Sequence, residues 1–231
     1  MISSSAFIKN GGKGLKFGCV VLCTVILALS AGCSYSDYKE PENRTFVSAV
    51  AVDSKKGKLQ LTAELIRIRE NLNNDEYTVA TISGEGSKPE DAMLSLIGKN
   101  SKELNFSHCA VLCLGSGLSD AQLCKMLQYW FHKRTLTLSV QLVAAQEGAS
   151  LFFANEDGEK PVGYEISEMI KNYNGNAPKI PKCRLLDFIN AQNDGKKSVR
   201  IPFFAVKKSK NGTQFYPDGA VCITKFVKKA D

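Results

Sequence analysis

Phe106-Ser107-His108-Cys109-Ala110-Val111-Leu112-Cys113-Leu114 is apolar almost throughout. Such a run predicts a central strand covered on both faces, because a strand with one wet face alternates apolar and polar residues. Working outward, Ser119-Asp120-Ala121-Gln122 has the spacing of a capping box. It opens a predicted helix in which Leu123, Met126, Leu127, Trp130 and Phe131 recur at three- and four-residue steps. Thr137 to Ala144 (TLSVQLVA) reads as the next strand. Upstream, Ser87-Lys88-Pro89-Glu90 reads as another capping box with Pro in the first turn. Behind it, Ala92, Leu94, Leu96 and Ile97 run toward Leu104 at roughly helical spacing, and Tyr77 to Ser83 (YTVATIS) is a strand. Tyr77 to Ala144 therefore reads strand, helix, strand, helix, strand. That order predicts an α/β (α+β) fold, a mixed open sheet with helical crossovers.

Two further strands precede this block. Thr45 to Val52 (TFVSAVAV) is β-branched and apolar, and Asp53-Ser54-Lys55-Lys56-Gly57-Lys58 supplies turn chemistry. Leu59, Leu61, Ala63 and Leu65 then alternate with Gln60, Thr62 and Glu64, predicting a hairpin. The charged, Asn-rich stretch Arg69 to Glu76 breaks the pattern. After Ala144 a smaller helix-plus-strand region is expected. Ala149 to Phe153 suggests a short turn, and Pro161 to Tyr173 a helix with Ile166, Met169 and Ile170 on one side. Leu185, Leu186, Phe188 and Ile189 suggest a second helix. Val199 to Val206 and Thr213 to Thr224 are strand-like, the latter containing a Pro217-Asp218-Gly219 turn.

The front of the chain has a different character. Lys9, Lys13 and Lys16 form a basic region without acidic residues, and Gly18 to Leu29 a short apolar one. Ala28-Leu29-Ser30-Ala31-Gly32-Cys33 then places small residues directly before a cysteine. This is the layout of a bacterial lipoprotein export signal, in which Cys33 is lipidated and becomes the first mature residue. The commonest form has Leu three residues before the cysteine, where this chain has Ser30. An ordinary secretory signal and an uncleaved anchor are the alternatives, although the apolar run is short for the ~20 residues of a spanning helix. The expected organisation is a signal at 1–32, a polar tether at 33–44, an α/β sheet domain at 45–146 and a helical and strand extension at 147–231.

Composition is ordinary for a globular chain, at 44% hydrophobic and 23% charged residues. The formal charge of +7 falls by three once the signal lysines leave, too mild an excess for a nucleic-acid partner. Of the eight cysteines, Cys19 and Cys23 lie in the signal and Cys33 is the lipidation site. Cys109, Cys113, Cys124, Cys183 and Cys222 remain in apolar surroundings. On one strand Cys109 and Cys113 would stand about 13 Å apart, beyond the roughly 7 Å between Cα atoms that a disulfide allows. The same distance keeps them from sharing one zinc ion. Buried free thiols are expected.

Catalysis finds little to work with. His108 falls on the apolar strand, where a satisfied core or strand-end histidine is expected rather than a general base. His132 ends a helix beside Lys133 and Arg134, where cations complement the macrodipole. Gly115-Ser116-Gly117 sits between strand and helix, but Asp120 stands where a phosphate loop has its third glycine. Glu85, between Gly84 and Gly86, reads as a turn carboxylate. No catalytic, metal or cofactor site is expected.

Taken together, several pieces resemble the Ger(x)C family, the GerAC-type lipoprotein subunits of spore germinant receptors. They are the lipobox, the strand ending Val50-Ala51-Val52-Asp53, Gly84-Glu85-Gly86 and the helix after it. Leu104-Asn105-Phe106-Ser107-His108 entering the apolar strand, the helix into Trp130-Phe131-His132-Lys133, the strand Thr137 to Ala144 and Gly219-Ala220-Val221 complete the likeness. Family members often have Cys-Trp-Asp at the mature terminus, where this chain has Cys33-Ser34-Tyr35. They usually continue beyond the equivalent of Asp231, so the chain is expected to correspond to the N-terminal region and to lack the C-terminal domain. The resemblance implies a non-enzymatic subunit, lipid-anchored through Cys33 on the outer face of the spore inner membrane. It also implies polytopic A- and B-type receptor subunits as partners in nutrient-triggered germination. The alternative is a free-standing substrate-binding lipoprotein of an exported transport system, which would need a cleft between two similar lobes.

Overall fold

A computed structural model describes residues 17, 18, 20–24, 44–71, 74–146, 148–153, 160–172, 180–196, 198–209 and 212–223. Contacts divide the chain into two units, residues 1–40 and 41–231. In the first, Phe17, Gly18 and Val20 to Thr24 are helical and exposed. Thr24 Oγ1 donates to the carbonyls of Val20 and Val21 at 3.1 and 2.8 Å. Among the described residues no helix is long and apolar enough to cross a membrane. Cys33 and most of the expected tether lie outside the described residues.

The second unit is built on one mixed sheet. Its strands are β1 (Arg44–Lys55), β2 (Lys58–Asn71), β3 (Asn74–Gly86), β4 (Glu103–Asn105), β5 (Val111–Leu114), β6 (Gln141–Ala145), β7 (Val199–Ser209) and β8 (Gly212–Ile223). The helices are α1 (Pro89–Ile97), α2 (Asp120–Lys133), α3 (Val162–Asn172) and α4 (Leu185–Asn193), with a 3₁₀ turn at Ala149–Phe153. The spatial order is β3-β2-β1-β5-β6-β7-β8, with β4 also paired to β1. β1, β5, β6 and β7 are parallel, and antiparallel hairpins flank them on both sides. The α/β class and the helical crossovers are therefore as the sequence predicts.

Period-2 alternation sorts the interior strands between two helical layers. Val47, Val50 and Val52 of β1, Leu112 and Leu114 of β5, and Leu142 of β6 face a core completed by α1, α2 and α4. Ala49, Ala51, Val111, Cys113 and Val143 face the other core, completed by Phe152, Phe153 and the α3 residues Val162, Ile166 and Ile170. The sheet runs on past the boundary expected between residues 146 and 147. β6 and β7 pair in parallel, and Phe204 lies in the same core as Val143.

Several local expectations change. The apolar run at 106–114 is not one strand. Asn105 Oδ1 accepts from the Ser107 N–H at 2.9 Å and Phe106 O from the Cys109 N–H at 3.1 Å, turning the chain out of the ladder. Pairing with β1 resumes at Val111, opposite Ala49. Leu112 is still interior, between β1 and β6. Similarly, Thr137 to Val140 form a turn and the strand after α2 starts at Gln141. At the β2–β3 end, the ladder continues through Arg69↔Glu76 to Asn71↔Asn74, so backbone pairing overrides the polar composition there. Helix α1 has Lys88 as N-cap without a side-chain cap; Pro89 at N1, not a capping box, starts it. Its Leu94 and Ile97 point outward, and Ala92, Met93 and Leu96 are the buried face. The Pro217-Asp218-Gly219 stretch lies within β8 as a bulge. Pro202 pairs with Ala220 and Phe204 with Pro217, leaving two residues opposite Phe203, and Gly219 takes φ +100°. The capping box at Ser119–Gln122 forms as expected.

Candidate functional site

The residues singled out from sequence are dispersed. His108 is exposed in the turn before β5, edge-on to Phe46 at 5.4 Å between ring centres, rather than on the strand. His132 is exposed in the last turn of α2. Cys109 packs in the core facing α2 and Cys113 in the core facing α3, so the sheet separates them. Burial pushes the Cys109 thiol up to about 12 and the Cys113 thiol well above its ordinary value. Such thiols stay protonated and unreactive at neutral pH. Among the described residues no three His, Cys, Asp or Glu side chains gather where a metal ion could be held.

Gly84-Glu85-Gly86 belongs to β3, not to a turn. Alternation puts both glycines under α1 and Glu85 on the opposite, exposed side. A Cβ at Gly84 would stand 2.3 Å from the Leu96 nitrogen, and one at Gly86 2.3 Å from the Ala92 nitrogen. The glycines thus let the helix lie directly on the strand. The Glu85 N–H donates to Ser95 Oγ at 3.2 Å, and the Glu85 carboxylate receives Gln60 Nε2 at 3.1 Å and meets Lys55 at 3.7 Å.

Two buried carboxylates were not anticipated. Asp53 accepts from the Ala149 and Ser150 N–H groups at 2.6 and 2.9 Å, capping the 3₁₀ turn across the sheet. It passes over Gly115, where a Cβ would collide with its Oδ1. Glu64, only 1% exposed, accepts from the Val162 and Gly163 N–H groups at 2.8 and 3.0 Å and from Ser48 Oγ. It caps the start of α3, where the macrodipole favours a negative group. Burial raises its pKa, and the bonds from Ser48, Gly163 and Val162 oppose that rise. The two acids therefore fasten the second helical layer to β1 and β2. Their partners are backbone N–H groups and, for Glu64, the Ser48 hydroxyl. The clue was indirect: β1 is apolar on both faces, so its neighbour β2 is also covered on both.

Among the described residues, two clefts are open to a ligand. One of about 440 Å³ is lined by Lys160, Glu165, Glu168, Met169 and Asn172 along α3. The other, of about 380 Å³, lies where β1 begins, among Arg44, Leu104, Phe106, Arg134, Leu136 and Thr137.

One mixed sheet thus lies between two helical layers, and buried carboxylates fasten the second layer to it. The family model described as spore germination protein N-terminal domain matches residues 37–206, and the chain belongs to that family. The matched span runs from ahead of β1 to Val206 in β7 and contains Asp53, Glu64, the Gly84-Glu85-Gly86 strand and β5. The Gly219-Ala220-Val221 segment falls beyond it. Comparison with curated proteins and with solved structures gives no match.

Proposed function

We propose that the chain is a non-enzymatic, lipid-anchored subunit of a spore germinant receptor, working through contacts with polytopic A- and B-type subunits at the outer face of the spore inner membrane. The observation that carries this reading is the family match over residues 37–206. The basic, apolar and small-residue series before Cys33 supports the anchor. Residues 34–44 extend at most about 3.5 Å each, which holds the sheet domain within roughly 40 Å of the bilayer. That confinement raises its effective concentration beside membrane-embedded partners, so a modest interface suffices. Two or more acyl chains, at about 0.8 kcal/mol per buried methylene, give a stable anchor.

Two measurements test the proposal. Cys33→Ala should abolish acyl labelling and release the domain from membranes, and labelling retained in that variant refutes the anchor. Affinity purification of the tagged chain from sporulating cells should recover polytopic receptor subunits, and their absence from an anchored chain refutes the partnership.

A further inference from the structure

The cleft at the start of β1 combines features that the fold itself does not require. Arg44 enters it from the first residue of β1, and Arg134 from the residue that ends α2 in a left-handed conformation, φ +53°. Neither guanidinium forms an ion pair among the described residues. Among the described lining residues Glu103, the register partner of Arg44 on β4, is the one carboxylate, and Asn105, Ser107, Thr135 and Thr137 supply the other polar side chains. Lys102 and Lys133 adjoin these residues in the chain. Two guanidiniums without an ion pair among the described residues, in one lining with three hydroxyl side chains, suit a phosphate, whose oxygens accept forked N–H donors and single O–H donors.

We infer that this cleft binds a phosphate ester, and that the ester is the headgroup of an anionic phospholipid in the membrane to which the chain is attached. Arg44 and Arg134 donate to the phosphate oxygens, and the hydroxyls orient it. The choice of source rests on the anchor proposed above. Arg44 is eleven residues past Cys33 in the sequence, so an anchor at Cys33 keeps this cleft within roughly 40 Å of the lipid. Basic residues near such a surface each strengthen binding about fivefold at moderate salt. The headgroup would then seat the domain in one orientation, which a tether alone does not.

The test uses the full chain in nanodiscs of phosphatidylcholine alone or of phosphatidylcholine with phosphatidylglycerol. Retention in the disc reports anchoring, and hydrogen exchange at residues 103–107 and 134–137 separately reports the cleft. Protection of these segments at least fivefold greater with phosphatidylglycerol, and lost in Arg44→Gln and Arg134→Gln while β5 and α2 exchange as in the parent, is the expected result. Equal protection in both discs overturns the inference even if the chain stays anchored. A third arm adds sn-glycerol 3-phosphate to the phosphatidylcholine discs. Protection there without protection by phosphatidylglycerol overturns the lipid assignment in favour of a soluble phosphate ester.

Discussion

Replacing Gly84 with alanine tests the close backbone approach of α1 to β3. The new Cβ would lie 2.3 Å from the Leu96 nitrogen, 2.6 Å from its Cα and 2.7 Å from the Ala92 oxygen, all of them backbone atoms that no rotamer change can move. Restoring van der Waals distance requires α1 to withdraw by about 1 Å, a gap that forfeits up to about half of each dispersion contact across the interface. Ala92, Met93 and Leu96, buried to within 3% of completely, are the side chains that lose those contacts. Overpacking of this kind costs about 1–3 kcal/mol, and the strand preference of alanine over glycine returns a fraction of it. Urea unfolding followed by far-UV circular dichroism should show a lower midpoint with an unchanged slope. Gly117→Ala is the control: its Cβ would meet nothing nearer than 3.6 Å, so its effect should stay within about 0.5 kcal/mol. A Gly84→Ala midpoint equal to that of the parent would refute the account of Gly84-Glu85-Gly86 as a helix seat.

Val111→Asp places a carboxylate at a fully buried β5 position facing α3, and should cost about 4 kcal/mol or more; a soluble variant that unfolds cooperatively near the parent's midpoint would contradict the interior placement. Because burial raises the pKa of Glu64 in the folded state, its protonation favours folding. That contribution is complete below the unfolded carboxyl range near 4.5 and is lost as pH rises through the higher folded value. The stability of Glu64→Gln relative to the parent should therefore rise with pH across that window, and a flat difference between their urea midpoints from acid to neutral pH would exclude the shift. Native-state alkylation with iodoacetamide should modify exposed Cys222 and spare buried Cys109, Cys113, Cys124 and Cys183 until denaturant is added; peptide mass mapping reads the difference, and rapid native labelling of Cys109 would show that its turn opens.

Local pattern determined the class of this protein. The strand–helix succession from Tyr77 to Ala144, the Ser119–Gln122 cap and the hairpin of β1 and β2 were legible because each depends on residues within a few positions of one another. The family was legible for the same reason, since its recognisable pieces are short and contiguous. Tertiary structure decided what those pieces do. Gly84 and Gly86 look like turn residues until α1 is seen resting on them. Glu64 occupies a polar place in an alternating strand, and it is buried only because β1, β2 and α3 close around it, with backbone donors nearly a hundred residues away. Asp53 likewise finds its partners at Ala149 and Ser150. The break at Phe106 to Ala110 opens a largely apolar run, and the bond that the Ser107 N–H donates to Asn105 Oδ1 turns the chain there. Arg44 and Arg134 come to one cleft from strand and helix ends ninety positions apart. Periodicity records which face of an element is apolar; it does not record which distant backbone supplies a donor to a buried acid, and burial without such a donor would be too costly to persist.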